Sequence, residues 1–431
     1  MSADPRTIVV GMLGCGVVGS GTYQTLRENA AAIERQLGAR IEVKRVCVRS
    51  PEKPRAVDLP SGLLTTDPAE VLDDPEVQIV AELIGGIAPA GDYILRALSN
   101  GKHVVTANKE LIAKAGHQLL VRAAERKLDF FFEGAVAGGI PIIRAMKVSL
   151  AANRIREVVG IVNGTTNYIL TQMSQQGLDF EVALRQAQEQ GYAEADPTDD
   201  VDGFDAAYKL AILASIGFQS RVPLERVYHE GIRKISDRDI EYAKQLGYAI
   251  KLVALAKERP HGLELRVHPA MLPLSHPLAA VNDVFNAVLV RGNAVGDVMF
   301  FGRGAGAMPT GSSVAADIME AARGIVFGGS GRIACTCFHE KTILPIEETE
   351  SHYYVRTETD DRPGVLAAVA TVFGRHNVSL ESMIQKQVSE ESAEIVWITH
   401  RTNEGNLRAA LQEIEALPVV RQVANCIRVE E

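Results

Sequence analysis

Asp205 and Lys209 lie four residues apart in an otherwise apolar stretch that contains Ala206, Ala207, Leu210, Ala211, Ile212 and Leu213. That spacing places both on one face of a helix. A charged pair is costly to bury there unless it has partners or a task. Beside a carbonyl, a lysine ammonium can stabilise a developing alkoxide and give it a proton. A structural ion pair fits the same spacing. Residues 194–205 carry six acidic side chains in twelve positions. Thr198, Asp200, Asp202 and Gly203 partly mimic a calcium loop, but its twelfth position is Lys209, not the required glutamate, so calcium is excluded.

Other segments could supply chemistry. Thr106-Ala107-Asn108-Lys109-Glu110 follows a predicted strand, at the sheet edge where ligands bind; a solvated lysine is the competing reading of Lys109. Glu133 to Pro141 holds Gly134, Gly138 and Gly139. Such irregular backbone exposes carbonyl oxygens to a hard monovalent cation, or simply crosses between domains. Asn163-Gly164-Thr165-Thr166-Asn167 sets small polar donors at a strand–helix junction, a carboxylate cradle or a plain N-cap. Gly302 to Thr310 either returns the chain to a cofactor or forms a flexible turn.

The clearest ligand signal is Gly14-Cys15-Gly16-Val17-Val18-Gly19, a G-x-G-x-x-G pattern after an apolar strand and at the start of a helix. Gly14 allows the tight turn, Gly16 admits a pyrophosphate, and Gly19 lets helix and strand pack. The helix N-terminus offers free N–H groups to phosphate. The second predicted strand ends at Arg49, with Lys53 and Arg55 behind it. Positive charge there favours the 2′-phosphate of NADP over NAD, although a solvated basic loop reads the same way.

Positioning these residues requires a scaffold. Strand patterns at 7–13, 41–48, 77–84, 102–106 and 128–132 alternate with helical patterns at 20–36, 92–100 and 110–126. This predicts an α/β fold with a Rossmann-type doubly wound parallel sheet. The middle reads as α+β: strand 155–163, helices 166–176, 179–190 and 203–217, and strands 262–268, 284–291 and 294–301. A helix at 312–323 follows. Strand 352–358, helix 363–376, strands 378–387 and 393–400, helix 404–416 and strand 420–429 give βαββαβ, the ferredoxin-like order. The expected domains are 1–140, completed by about 302–325; 141–301; a linker at 326–350; and 351–431.

At 431 residues the chain suggests about three domains. Net charge of −9 argues against general affinity for nucleic acid or anionic membranes. No stretch approaches the ~20 apolar residues of a membrane span, and no signal peptide is seen. Cys15, Cys47, Cys335, Cys337 and Cys426 are odd in number and irregular in spacing, so they form no disulfide framework. Cys335 and Cys337 are too close for a C-x₂-C zinc knuckle and are expected as strand residues on one face. The chain is expected to be cytoplasmic.

The ordered segments TANKE, EGAVAGGIP, NGTTNYIL, YAEADPTDDVDG and GAGAMPTG resemble monofunctional bacterial homoserine dehydrogenase over essentially the whole chain. The resemblance implies reversible NAD(P)H-dependent reduction of L-aspartate 4-semialdehyde to L-homoserine, on the route to threonine, methionine and isoleucine. It implies Lys209 as proton donor, Lys109 as a second active-site lysine that approaches the cofactor, and Glu194, Asp205 and Thr165 at the substrate. Gly14, Gly16, Val17, Val18, Gly19, Arg49, Thr106, Lys109, Gly191 and Gly306 would contact the cofactor. Glu133, Val136, Gly138 and Ile140 match a sodium site built largely from carbonyls. Residues 351–431 resemble an ACT domain through Asp361-Arg362-Pro363-Gly364-Val365-Leu366 and His376-Asn377-Val378-Ser379. That implies pairing and feedback inhibition by threonine, with Gly364 and Asn377 near the effector; a purely structural dimerisation role is the alternative. A homodimer or homotetramer is expected. Aspartate-semialdehyde dehydrogenase would need a cysteine nucleophile in a catalytic segment, and none is present. A fused aspartate kinase is excluded by length. A non-catalytic amino-acid sensor is disfavoured by Lys109, Glu194, Asp205 and Lys209.

Overall fold

The computed structural model describes residues 6–60, 62–329, 331, 335–388 and 392–430. The chain forms two compact units: residues 1–158, 211–224 and 286–340, and residues 159–210, 225–285 and 341–431.

The first unit is built on a six-stranded sheet of β1 (Arg6–Leu13), β2 (Ala39–Cys47), β3 (Leu64–Thr65), β4 (Ile79–Glu82), β5 (His103–Thr106) and β6 (Phe130–Phe131). Its order is β3-β2-β1-β4-β5-β6, with every pairing parallel. This is the doubly wound order expected from the alternating pattern. β4 is buried along its whole length and β1 over most of its own, as strands covered on both faces must be. The helix expected over 20–36 is two helices, Val17–Glu28 and Ala30–Leu37, broken at Asn29.

The helix Ala307–Phe327 completes this unit by packing on Val17–Glu28. The two helices meet backbone to backbone. A Cβ on Gly21 would lie 1.9 Å from the Ala307 carbonyl oxygen, and one on Gly311 would lie 2.4 Å from the Gly21 carbonyl carbon. Only glycine fits at both positions. The contact fixes the segment Gly304–Ala307 beside the dinucleotide loop.

In the second unit the strands run in the order Tyr248–Arg259, Gly262–Pro273, Val420–Val429, Glu350–Asp360, Ser392–Thr399 and Leu380–Gln387. The last four, with helices Val365–Arg375 and Glu404–Glu415, give the βαββαβ order. Trp397, Phe373, Tyr353 and Ile414 centre their core. Tyr248–Arg259 went unrecognised in the sequence, because its Ala, Leu and Lys are good helix formers and it lacks alternation. Its middle is buried on both faces. Residues 342–344 lie along Leu263, which donates to Thr342 O at 2.7 Å and accepts from Leu344 N at 2.8 Å.

Cys335 and Cys337 lie in no strand, contrary to expectation. Among the described residues no helix is long and apolar enough to cross a membrane.

Replacing Gly311 with valine should cost about 1–3 kcal/mol or more through overpacking. The urea midpoint should fall with little change in the m-value; an unchanged midpoint would contradict the close helix contact.

Candidate active site

In the first unit a cavity of about 870 Å³ opens above the C-terminal ends of β1, β2 and β4. Gly14, Gly16, Val17, Arg49, Lys53 and Ala307 are among its lining residues. Gly14 takes φ +97°, and a Cβ there would strike Leu83 O at 2.6 Å. Its amide donates to Cys47 O at 2.8 Å, which ties the loop to the end of β2. A Cβ on Gly19 would lie 2.6 Å from Gly14 O, whereas nothing lies within 4 Å of one on Gly16. That open side, at the N-terminus of Val17–Glu28, fits a pyrophosphate. Val18 and Gly19 continue the first turn of that helix.

Arg49 and Lys53 are exposed at the cavity rim. Arg55 does not join them as a free cation. Its guanidinium donates to the carbonyls of Ser50 at 2.7 Å, Pro51 at 2.9 Å and Lys53 at 2.7 Å, and so braces the loop.

At the end of β5, Thr106 Oγ1 donates to the buried Glu82 at 2.7 Å and accepts from the Asn108 amide at 3.0 Å. Asn108 caps the next helix by accepting from Leu111 N at 3.1 Å. Lys109, half-buried, is the first residue of that helix.

The loop after β6 is irregular and buried at Glu133, Val136, Gly138 and Ile140. Ala137 and Gly138 both have positive φ, 54° and 45°. The Glu133 carboxylate is taken up by main-chain amides: it accepts from Ile143 N at 2.7 Å and Arg144 N at 2.8 Å. Burial pushes its pKa up, while those amides act in the opposite direction. A cation would therefore take main-chain oxygens there, and such hard donors suit it. Gly138 O already accepts from Ser313 at 2.7 Å and keeps a second lone pair. Gly306 is the N-cap of Ala307–Phe327 at φ +120°.

In the second unit Lys209, Asp205 and Asn163 come together in buried surroundings, with the half-buried Asp200 beside them. Lys209 Nζ donates to Asp205 Oδ2 at 2.6 Å and Val162 O at 2.7 Å. Asn163 Nδ2 donates to the same Asp205 oxygen at 2.8 Å and to Asp200 at 2.6 Å. Asn163 Oδ1 meanwhile caps helix Gly164–Gln176 by accepting from Thr166 N at 2.8 Å. Burial, and then the nearby Asp205 charge, raise the Asp200 carboxyl above the usual range. Thr165 Oγ1 donates to Tyr192 O at 2.8 Å, which ties the helix start to the acidic loop. Glu194 on that loop is exposed, and its carbonyl accepts from Gln188 at 3.1 Å. Gly191, at φ +74°, starts the loop.

The sequence reading missed Asn163 and Asp200 as organisers. Asn163 was visible as an N-cap, but nothing local showed that its amide bridges two carboxylates.

Lys251 was missed as well. It is buried, and its Nζ donates to Val281 O at 2.5 Å, Asn282 Oδ1 at 3.0 Å and Asn167 Oδ1 at 3.3 Å. It thereby holds the 281–284 loop against the helix that carries Thr165.

Gly364 and Asn377 are exposed, both with positive φ, at the two ends of helix Val365–Arg375.

Burial lowers the Lys251 pKa from 10.5 to about 8. Between those values the unfolded chain binds more protons than the folded one, so stability rises with pH across that window. A Lys251→Met variant should flatten that rise in urea titrations. An unchanged slope would contradict the buried ammonium.

Comparison with known proteins agrees along the whole chain. Residues 14–133 match the family model for the NAD binding domain of homoserine dehydrogenase, residues 141–319 the model for homoserine dehydrogenase, and residues 353–419 the ACT domain model. A homoserine dehydrogenase of Synechocystis is 47% identical over 98% of this chain and 99% of its own length. The crystal structure of a homoserine dehydrogenase from Thiobacillus denitrificans superposes with a TM-score of 0.94 at 44% identity, covering 99% of both chains. A hyperthermophilic archaeal homoserine dehydrogenase in complex with NADPH aligns over 73% of this chain and 98% of its own, with a TM-score of 0.63 and 28% identity. A dinucleotide loop, a mixed-sheet catalytic region and an ACT domain in that order, with near-complete coverage at such identity, mean that this chain belongs to the homoserine dehydrogenase family of oxidoreductases.

Proposed function

We propose that Lys209 is the proton donor in the reversible reduction of L-aspartate 4-semialdehyde to L-homoserine. The observation that carries this is the buried Lys209–Asp205 pair, 2.6 Å apart, beside the Asn163–Thr166 loop. An ammonium has three protons. Among the described residues Lys209 commits two, to Val162 O and Asp205, and the third can reach a substrate oxygen. Asp205 aims the amine. The lysine's positive charge offsets the alkoxide that develops as hydride reaches the carbonyl carbon, and its proton then passes to that oxygen.

Asp205 and Glu194 would hold the substrate ammonium, with Thr165 beside it. Lys109 would act as the second lysine, toward the cofactor. NADPH, with NAD(H) a weaker alternative, supplies the hydride when bound. Gly14, Gly16, Val17, Val18 and Gly19 would hold its pyrophosphate, Arg49 its 2′-phosphate, and Thr106, Gly191 and Gly306 the remainder. The carbonyls of Glu133, Val136, Gly138 and Ile140 would take Na⁺. Threonine would bind the ACT region near Gly364 and Asn377 in a homodimer or homotetramer, and the protein would be cytoplasmic. This reading divides the chain into a dinucleotide-binding part, 1–140 with about 302–325, a catalytic and dimerisation part, 141–301, a linker, 326–350, and a regulatory part, 351–431.

Lys209→Ala should lower turnover with aspartate semialdehyde by about 10²–10⁴-fold, the usual worth of a positioned acid, while NADPH still quenches protein fluorescence and circular dichroism is unchanged. Turnover within threefold of the parent would refute the role. In the parent protein, rates should be higher with NADPH than with NADH at equal concentration, and added threonine should depress both. Preference for NADH would remove Arg49 from the site, and indifference to threonine would leave the ACT domain a structural element.

A further inference from the structure

The sulfurs of Cys335 and Cys337 form a cluster that the reaction does not use. Both residues are half-buried free thiols. The chain turns at Cys337, with Phe338 N donating to Thr336 O at 2.9 Å. Their side chains hydrogen-bond each other, and His117 hydrogen-bonds Cys335. The Lys147 ammonium is near enough to interact electrostatically with both sulfurs, and Cys337 Sγ lies 3.9 Å from Ser215 O.

The hydrogen bond from Cys337, with help from His117 and Lys147, brings the Cys335 thiol down to about 5, while Cys337 is raised. The pair thus favours ionisation at Cys335 ahead of Cys337. A low-lying, partly accessible thiolate beside a second cysteine is the arrangement of a redox-sensing pair. The remaining cysteines with a displaced thiol differ: burial raises Cys47, and pushes Cys426 up to about 12. Among the described residues no group of three His, Cys, Asp or Glu side chains is placed to hold a metal.

We propose that Cys335 and Cys337 form a modification site that closes reversibly to an intramolecular disulfide by exchange with a low-molecular-weight disulfide. The Cys335 thiolate attacks one sulfur of the small disulfide. That S–S bond breaks, a mixed disulfide forms, and the first small thiolate leaves. Cys337 then loses its proton and attacks the Cys335 sulfur, expelling the second thiolate. The protein pair gives up two electrons and two protons, and the small disulfide becomes two thiols.

The test uses the full-length protein and oxidised glutathione. In the reduced protein at pH 6, iodoacetamide should label Cys335 about tenfold faster than Cys47 or Cys426, since a greater thiolate fraction outweighs weaker nucleophilicity. After incubation with oxidised glutathione and blocking with N-ethylmaleimide, the peptide containing both residues should be unblocked and two hydrogens lighter. Dithiothreitol should reverse this. Cys337→Ser should instead trap a glutathione adduct on Cys335, and Cys335→Ser should leave Cys337 unmodified. Full N-ethylmaleimide labelling of both residues after oxidation, or an adduct on Cys337 in the parent protein, would overturn the proposal.

Discussion

One ammonium shared between an acid and a carbonyl, in a place with little water, constrains the whole second unit. Lys209 is 9% and Asp205 3% exposed. Removing one member of such a pair strands the other, at a cost of about 3–5 kcal/mol. The surrounding structure is therefore arranged to keep both in place. Asn163 divides its two amide protons between Asp205 and Asp200 and uses its oxygen to start a helix. Two carboxylates then face one lysine. Burial raises the Asp200 pKa first and the neighbouring Asp205 charge adds to it; on the proposed reading, an incoming substrate ammonium would relieve the second effect. The features that make the cluster expensive without substrate are those that would favour substrate binding.

A second set of buried charges ties the ACT strands to the catalytic strands in the same unit. Val420–Val429 pairs in parallel with Gly262–Pro273 at Ala270 and Met271. Beside that junction Arg428 contacts Glu404 and lies 3.0 Å from Glu230, while Arg356 lies 2.8 Å from Asp239 and 2.9 Å from Glu394. These guanidiniums are almost wholly removed from water, so separating the strands would expose unpaired charge on both sides. The segment after Glu230 then braces the helix that holds Asp200: Ile232 N donates to Val201 O at 2.8 Å, and Gly231 is so close to Val201 O that a Cβ would lie 2.1 Å away. A continuous series of short contacts thus runs from Arg428 to the acidic loop.

How much of this was legible follows from the range of each interaction. The dinucleotide loop is set by residues within a few positions of one another, so its glycines could be assigned roles directly. The Asp205–Lys209 contact is one helical turn long and was equally readable as a geometry, although its purpose came from the family resemblance. Asn163 bridging to Asp200 and Asp205, Lys251 reaching Asn167 and Val281, and Arg428 reaching Glu230 all join positions far apart in sequence. No local pattern encodes them. Tyr248–Arg259 was hidden for a different reason: tertiary burial on both faces overrode its helical composition. The helix break at Asn29 and the non-strand conformation at Cys335 were not visible in spacing either.

The cofactor cavity shows why charge counted along a chain is not charge available to a ligand. Arg49, Lys53 and Arg55 look equivalent in sequence, yet the loop consumes the Arg55 guanidinium on three of its own carbonyls. Lys102, also near this sheet, is spent in the same way, with Nζ 2.5 Å from Asp74 O and 2.8 Å from Val77 O. A buried cation without such acceptors would be costly, so folding claims it first. What remains for a phosphate is the exposed pair Arg49 and Lys53, plus the helix start at Val17 with its open glycine side. On the proposed reading, discrimination between NADP and NAD would depend on two solvent-facing side chains whose attraction is screened by salt, whereas pyrophosphate binding would depend on rigid backbone that is not. Because these two components rest on different parts of the loop, cofactor preference can change without loss of dinucleotide binding.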